Sequence, residues 1–166
     1  MSVARTAVDR VYEVLRTVKD PEIPVIDIVE LGIVRDVTIG ERGPVVTVTP
    51  TYTGCPIMAV IERLILDALE AGGMGGGSID VVYAPAWTTD WLTEEAKERL
   101  REYGIAPPGK NVELPMFGPN RTLENVACPF CGSDRTRLEA EFGSTACKAL
   151  YKCGDCLEPF DHFKCI

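Results

Sequence analysis

Histidine is nearly missing from this 166-residue sequence: His162 is the only one. A bundle-type di-iron centre takes one histidine from each of two Glu-x-x-His helices, so this chain cannot build it. Basic side chains are also few. Seventeen Lys and Arg against 25 Asp and Glu give a net charge of −8 and a pI near 4.7. That balance repels a phosphate backbone, and no nucleic-acid partner is expected. Apolar runs are broken by charge well short of the ~18 residues a transmembrane helix needs. Met1–Lys19 has neither the basic start nor the apolar run of a signal peptide. No membrane association is expected, and the expected compartment is the cytoplasm. A nucleotide-binding glycine fingerprint is missing too. The run Gly72–Gly77 follows a helical pattern and precedes a strand pattern, the reverse of a phosphate loop, and reads as a flexible connector.

What is present is unevenly distributed. With 46% hydrophobic residues the chain should fold as one or two small domains. Cys55 stands alone in the first 127 residues, whereas Cys128, Cys131, Cys147, Cys153, Cys156 and Cys165 crowd the last 39. An odd thiol count in a reducing compartment argues for metal ligation rather than a disulfide framework. Residues 1–119 carry a net charge of −7 and residues 120–166 only −1. The prolines of Ala106-Pro107-Pro108-Gly109 and Pro115-Met116-Phe117-Gly118-Pro119 forbid regular helix between them. The expected organisation is therefore a domain over 1–105, a linker over 106–122 and a Cys-rich domain over 123–166.

In the first domain, apolar residues at three- and four-residue steps from Ala4 to Val18 predict a helix over Ser2–Lys19, stopped by Asp20-Pro21. Leu31, Ile33, Val37 and Ile39 alternate, and Val45–Thr49 is β-branched, which predicts a hairpin around Arg42-Gly43-Pro44. A second helix should begin at Pro56 and end at Gly72-Gly73, followed by a strand over Ile79–Tyr83. Thr93, as an N-cap before Glu94 and Glu95, predicts a third helix running to Tyr103 and closed by Gly104. The expected fold class is α+β: a small sheet of three strands, or slightly more, with helices packed on it, then a metal-binding ribbon of short β-hairpins.

The strongest chemical signal is Cys128-Pro129-Phe130-Cys131 paired with Cys153-Gly154-Asp155-Cys156 across 21 residues. Two such turns can set four thiolates at the corners of a tetrahedron, which suits Zn²⁺ and leaves no open position for hydrolytic water. Iron, as a single ion or an iron–sulfur cluster, is the alternative, although Leu157 stands where a rubredoxin-type turn has glycine. Cys147 and Cys165 read either as buried small hydrophobes or as a thiol pair with redox or second-site function. His162 reads as a surface or packing residue rather than a ligand. Cys55, in Thr51-Tyr52-Thr53-Gly54-Cys55-Pro56, is placed at the mouth of the second helix, where unpaired N–H groups favour thiolate; the alternative is an inert, packed cysteine. Tyr83, Trp87 and Trp91, with Asp90 between the tryptophans, are either partner-docking residues or, for the tryptophans, core.

Asp20-Pro21-Glu22-Ile23-Pro24, Asp27-Ile28-Val29-Glu30-Leu31-Gly32-Ile33-Val34 and the Thr-Pro-Thr-Tyr-Thr-Gly-Cys-Pro segment at 49–56 resemble, in this order, the small domain of metal–sulfur cluster assembly proteins. Trp87-Thr88-Thr89-Asp90-Trp91, Phe142-Gly143-Ser144-Thr145-Ala146-Cys147-Lys148 and Glu158-Pro159-Phe160-Asp161-His162-Phe163-Lys164 are similar to one branch, the D-type components of multicomponent phenylacetyl-CoA epoxidases. The resemblance implies an accessory or maturation component rather than a catalytic one. Its partners would be the oxygenase and reductase components, and a homo-oligomer is left open. It maps the cluster-assembly cysteine onto Cys55, with transient iron or an iron–sulfur cluster there, and the supporting acidic segment onto Asp20 and Glu22.

Overall fold

The computed structural model describes residues 6–52, 54–109 and 126–164, which form two compact units, one through Trp87 and one from Thr88. The first unit contains helix α1 (Ala7–Leu15), strands β1 (Val34–Gly40) and β2 (Gly43–Val48), helix α2 (Met58–Ala71) and strand β3 (Ser78–Val81). Thr6 and Asp9 start α1 as a reciprocal capping box: Oγ1 of Thr6 accepts from the Asp9 amide, and the Asp9 carboxylate accepts from the Thr6 amide. Val11 and Leu15 point from α1 into the core, and α1 packs against α2 and β1. β1 and β2 form the expected antiparallel hairpin. β3 lies parallel to β2 in the order β1-β2-β3, with α2 as the crossover that parallel pairing requires.

Four local expectations are corrected. Helix α1 ends at Leu15, not Lys19, because the chain tightens into Val14–Val18 turns and then extends so that Lys19 bridges Asp27. Residues 2–5 of the expected helix lie outside the described residues. The expected single face of Leu31, Ile33, Val37 and Ile39 is broken by a bulge between Val34 and Asp36, which sets buried Val34 and Val37 three residues apart and leaves Ile39 50% exposed near the hairpin end. Helix α2 begins at Met58 rather than Pro56, since Tyr52 and Cys55 first close two turns. The glycine run is closely packed at Gly72, Gly76 and Gly77, while a Cβ on Gly73 or Gly75 would meet nothing within 4 Å, so only part of it is a loose connector. A Cβ on Gly76 would lie 2.2 Å from the Arg42 carbonyl oxygen, so the loop can lie against the hairpin turn only with glycine there.

The second unit contains a 3₁₀ turn (Thr89–Trp91), helix α3 (Glu94–Glu102) and strands β4 (Ile105–Ala106), β5 (Thr136–Ala140), β6 (Lys148–Cys153) and β7 (Pro159–Phe163). α3 matches its predicted caps. Thr93 Oγ1 accepts from the Ala96 amide, and Gly104, at φ 87°, follows the C-cap Tyr103. The sheet order is β4-β7-β6-β5, with β5-β6-β7 antiparallel and β4 parallel to β7. The expected boundary at 105/106 therefore runs through β4, and the contact-defined division lies at 87/88. Prolines mark where regular structure stops, whereas the β4–β7 pairing is a contact across more than fifty residues that they do not encode. Residues 110–122 of the expected linker lie outside the described residues.

Candidate functional site

The loop before β5 and the β6–β7 turn bring the two Cys-x-x-Cys segments together. The first is closed by the Gly132 amide donating to the Cys128 carbonyl at 2.8 Å and by the Cys128 amide donating to Ser133 at 2.9 Å. The second is closed by the Cys153 amide donating to Glu158 at 3.0 Å. Both turns place the residue after the second cysteine in left-handed backbone: Gly132 at φ 74° and Leu157 at φ 65°. Leu157 is 65% exposed, so its side chain returns little packing for that conformation. Leu157→Gly is expected to raise the thermal stability of the second unit by up to about 1 kcal/mol, read from paired melts, because left-handed backbone costs an L-residue roughly 1–2 kcal/mol and glycine's extra chain entropy returns part of it.

The four sulfur atoms lie within 4.8 Å of one another, with Cys128–Cys156 at 3.7 Å and Cys131–Cys153 at 3.6 Å. Four tetrahedral thiolates about 2.3 Å from a zinc ion require sulfur–sulfur edges of about 3.8 Å, so the donor set fits one ion. Among the thiols themselves, the Cys156 amide is the chief cause holding Cys153 down at about 7. Cys156, against the pull of the Glu158 amide, is pushed up to about 12 by burial and by Cys153 and Cys128. Thiolate is the form that binds a metal, so with Cys156 held protonated metal uptake must release protons. Beneath them a small core of Val126, Ala149, Tyr151 and Phe160 is ordered by the Tyr151–Phe160 stack at 5.9 Å.

Cys147 is buried outside the four-sulfur set, with its sulfur 3.1 Å from Thr145 Oγ1. His162 is a buried packing residue: its Nδ1 lies 3.2 Å from the Ala106 carbonyl oxygen of β4, and its ring stands edge-on to Tyr151. Cys165 lies outside the described residues.

In the first unit Cys55 is a free, half-buried thiol in the turn before α2. Its amide donates to Tyr52 and its carbonyl accepts from Met58, so it precedes the helix by three residues rather than opening it. Asp20 is buried, and its Oδ1 accepts from the Glu22 and Ile23 amides at 2.8 Å each, which fixes the loop. Glu22 is half-buried on that loop. Trp87 is corrected from docking candidate to core: it is 4% exposed and its indole N–H donates to the Leu31 carbonyl at 2.9 Å. Tyr83 and Asp90 are exposed, and Trp91 is half-buried.

Asp27 receives no role from sequence reasoning, because nothing in the Asp27–Val34 run shows that its side chain turns inward. It is buried, and its Oδ1 accepts from the Val29 and Glu30 amides at 3.0 and 2.9 Å. Burial is the largest influence on its carboxyl and holds it above the ordinary range, with neighbouring Glu30 adding to the rise. A raised folded-state pKa means that this contribution to stability is complete below the ordinary carboxylate range and is lost as pH rises through the raised value. Asp27→Asn keeps an amide-accepting oxygen and is expected to flatten that decline, as measured by urea unfolding in steps from pH 4 to pH 7.

Among the described residues no helix is long and apolar enough to cross a membrane. Residues 8–81 match the family described as iron–sulfur cluster assembly protein, and residues 115–164 match the PaaD zinc beta ribbon domain. An Fe-S protein maturation auxiliary factor of Porphyromonas gingivalis (strain ATCC BAA-308 / W83) is 39% identical over 54% of this chain and 87% of its own. The crystal structure of a domain of unknown function 59 from Bacillus anthracis, 33% identical, superposes with a TM-score of 0.53 over 57% of this chain and 91% of that one. A protein of Escherichia coli (strain K12), named as the D component of 1,2-phenylacetyl-CoA epoxidase, is 46% identical over 99% of this chain and 97% of its own. Alignment over both units, rather than over the first alone, decides the assignment: the chain belongs to the family of phenylacetyl-CoA epoxidase D components.

Proposed function

We propose that the chain is an accessory maturation component of a multicomponent phenylacetyl-CoA epoxidase. In this reading Cys55 holds iron or an iron–sulfur cluster briefly as cargo and passes it to an oxygenase or reductase partner, while the four-cysteine ribbon keeps a resident Zn²⁺. The observation that carries the proposal is the free, half-buried Cys55 thiol, separate from the four-sulfur set, in a unit similar to iron–sulfur maturation factors. A single thiolate suits cargo, since a partner cysteine can displace it by ligand exchange with no change in oxidation state. Four thiolates within 4.8 Å suit a resident ion, which would have to lose four bonds to leave. Cys128, Cys131, Cys153 and Cys156 would hold that ion, and the chemistry it supplies is structural.

The supporting acidic residues act on the loop: Asp20 fixes residues 22 and 23 through their amides. Co-expression with the partner components tests the proposal. With Cys55→Ser, iron and acid-labile sulfide per reductase or oxygenase component should fall several-fold, whereas unchanged content removes the transfer role. A second reading, a small electron carrier, is favoured by the same sulfur spacing, which also accepts a single iron, and by the exposure of Cys131. Anaerobically purified protein with no visible absorbance would dismiss it.

A further inference from the structure

Asp155 sits between the two cysteines of the second metal-binding turn, yet its carboxylate is bound to residues that follow the first turn. Its Oδ2 accepts from Arg135 Nε at 3.1 Å and from the Ser133 hydroxyl, while Arg135 Nη2 pairs with Oδ1. Ser133 Oγ in turn accepts from the Arg135 amide at 3.0 Å. The backbone joins the same contact: the Gly154 amide donates to the Arg135 carbonyl at 2.6 Å, and a Cβ on Gly154 would lie 3.0 Å from that oxygen. The two turns are therefore cross-linked outside the sulfur cluster, by a two-pronged guanidinium–carboxylate pair and a backbone bond through a position where a side chain would crowd the contact. The Asp155 amide also donates to the Cys153 sulfur at 3.3 Å, so holding the side chain aims the amide at a ligand.

We propose that Ser133, Arg135 and Asp155 form a latch that positions the second pair of cysteines and slows loss of the ribbon's metal ion. Metal leaves a four-thiolate site one bond at a time. When one bond opens, the latch keeps the two turns at their closed separation, so the freed sulfur rebinds before the next bond breaks. This is the effective-concentration effect acting on ligands from two chain segments. Arg135 is 78% exposed on its side chain, so the ion pair adds little to equilibrium stability in salt solution, and its effect is on the release rate. The inference rests on the reading of the four-cysteine site as holding a resident ion. Failure of that reading appears separately, as full-length wild-type protein that binds no zinc.

The test uses full-length zinc-loaded protein and a chromogenic chelator in excess, with release followed by stopped flow. Arg135→Gln and Asp155→Asn are each expected to release zinc about two- to fivefold faster than wild type, the range that ~0.4–1 kcal/mol in a barrier gives. The double variant should be no faster than either single, since the two act on one contact. Reversing the pair, Arg135→Asp with Asp155→Arg, should restore part of the slow release. Cobalt-substituted variants should keep the wild-type d–d bands, showing an unchanged four-sulfur geometry. Release that speeds with added salt in wild type but not in Arg135→Gln supports the latch. Wild-type release rates in both single variants, or additive effects in the double variant, overturn it. Arg135→Gln lies on the surface and keeps the backbone bond to Gly154, so it remains a valid test if an Asp155 variant does not fold.

Discussion

Cys128→Ser is expected to unfold the cysteine-rich ribbon of the second unit while the first unit keeps its own transition. The buried residues under the sulfur cluster are few, and a ribbon of about forty residues usually needs a metal or another cross-link to stand by itself. Structural zinc in comparable small folds supplies on the order of 10 kcal/mol of binding free energy that is also folding free energy. Removing one thiolate leaves three donors and an open position, and the core residues Val126, Tyr151 and Phe160 lose the cross-link that holds their strands together. Far-UV circular dichroism during a melt should show two transitions in the zinc-loaded protein. In Cys128→Ser, or with a strong chelator, the ribbon transition should disappear and that of the α/β unit should persist. A ribbon that melts at the same temperature with and without metal would contradict this.

Trp87→Ala is expected to be the most damaging single substitution in the first unit, costing about 3–5 kcal/mol. The side chain is buried and its indole N–H satisfies the Leu31 carbonyl. Truncation therefore opens a large cavity and leaves a backbone acceptor unpaired at once. Urea denaturation should show a lower midpoint with an unchanged slope. Reduced partner capture by Trp87→Ala would accordingly reflect a weakened fold, so docking is better probed at Tyr83 or Asp90, which are exposed.

The parts of the molecule visible in the sequence are those encoded by short spacings. Thr93, Glu94 and Gly104 mark both ends of α3 within twelve positions, and two Cys-x-x-Cys pairs specify their own geometry because each turn closes on itself. The parts that are not visible depend on partners distant in the chain. Nothing near Ile105-Ala106 reveals a strand, because its pairing partner is Asp161-His162. Trp87 reads equally as anchor or core until Leu31 is known to lie beside it. The bulge after Val34 shifts the phase of an otherwise regular alternation, and a period-of-two reading cannot anticipate one inserted residue. Gly76 reads as slack because its reason, the Arg42 carbonyl, lies on another turn. Asp155 and Arg135 are twenty residues apart, and only the folded ribbon makes them neighbours.

The central claim is a division of labour between two sulfur sites, with a resident ion held by four cysteines and mobile cargo held by one. Anaerobic transfer in vitro tests it most directly. Full-length protein with its ribbon zinc in place is loaded with iron and sulfide and mixed with metal-free reductase partner, and cluster formation on the partner is followed by visible circular dichroism. The wild-type chain should deliver faster than free iron and sulfide, Cys55→Ser should lose this advantage, and zinc should stay on the ribbon throughout. Delivery by Cys55→Ser at the wild-type rate, or zinc lost from the ribbon in step with delivery, would contradict the claim.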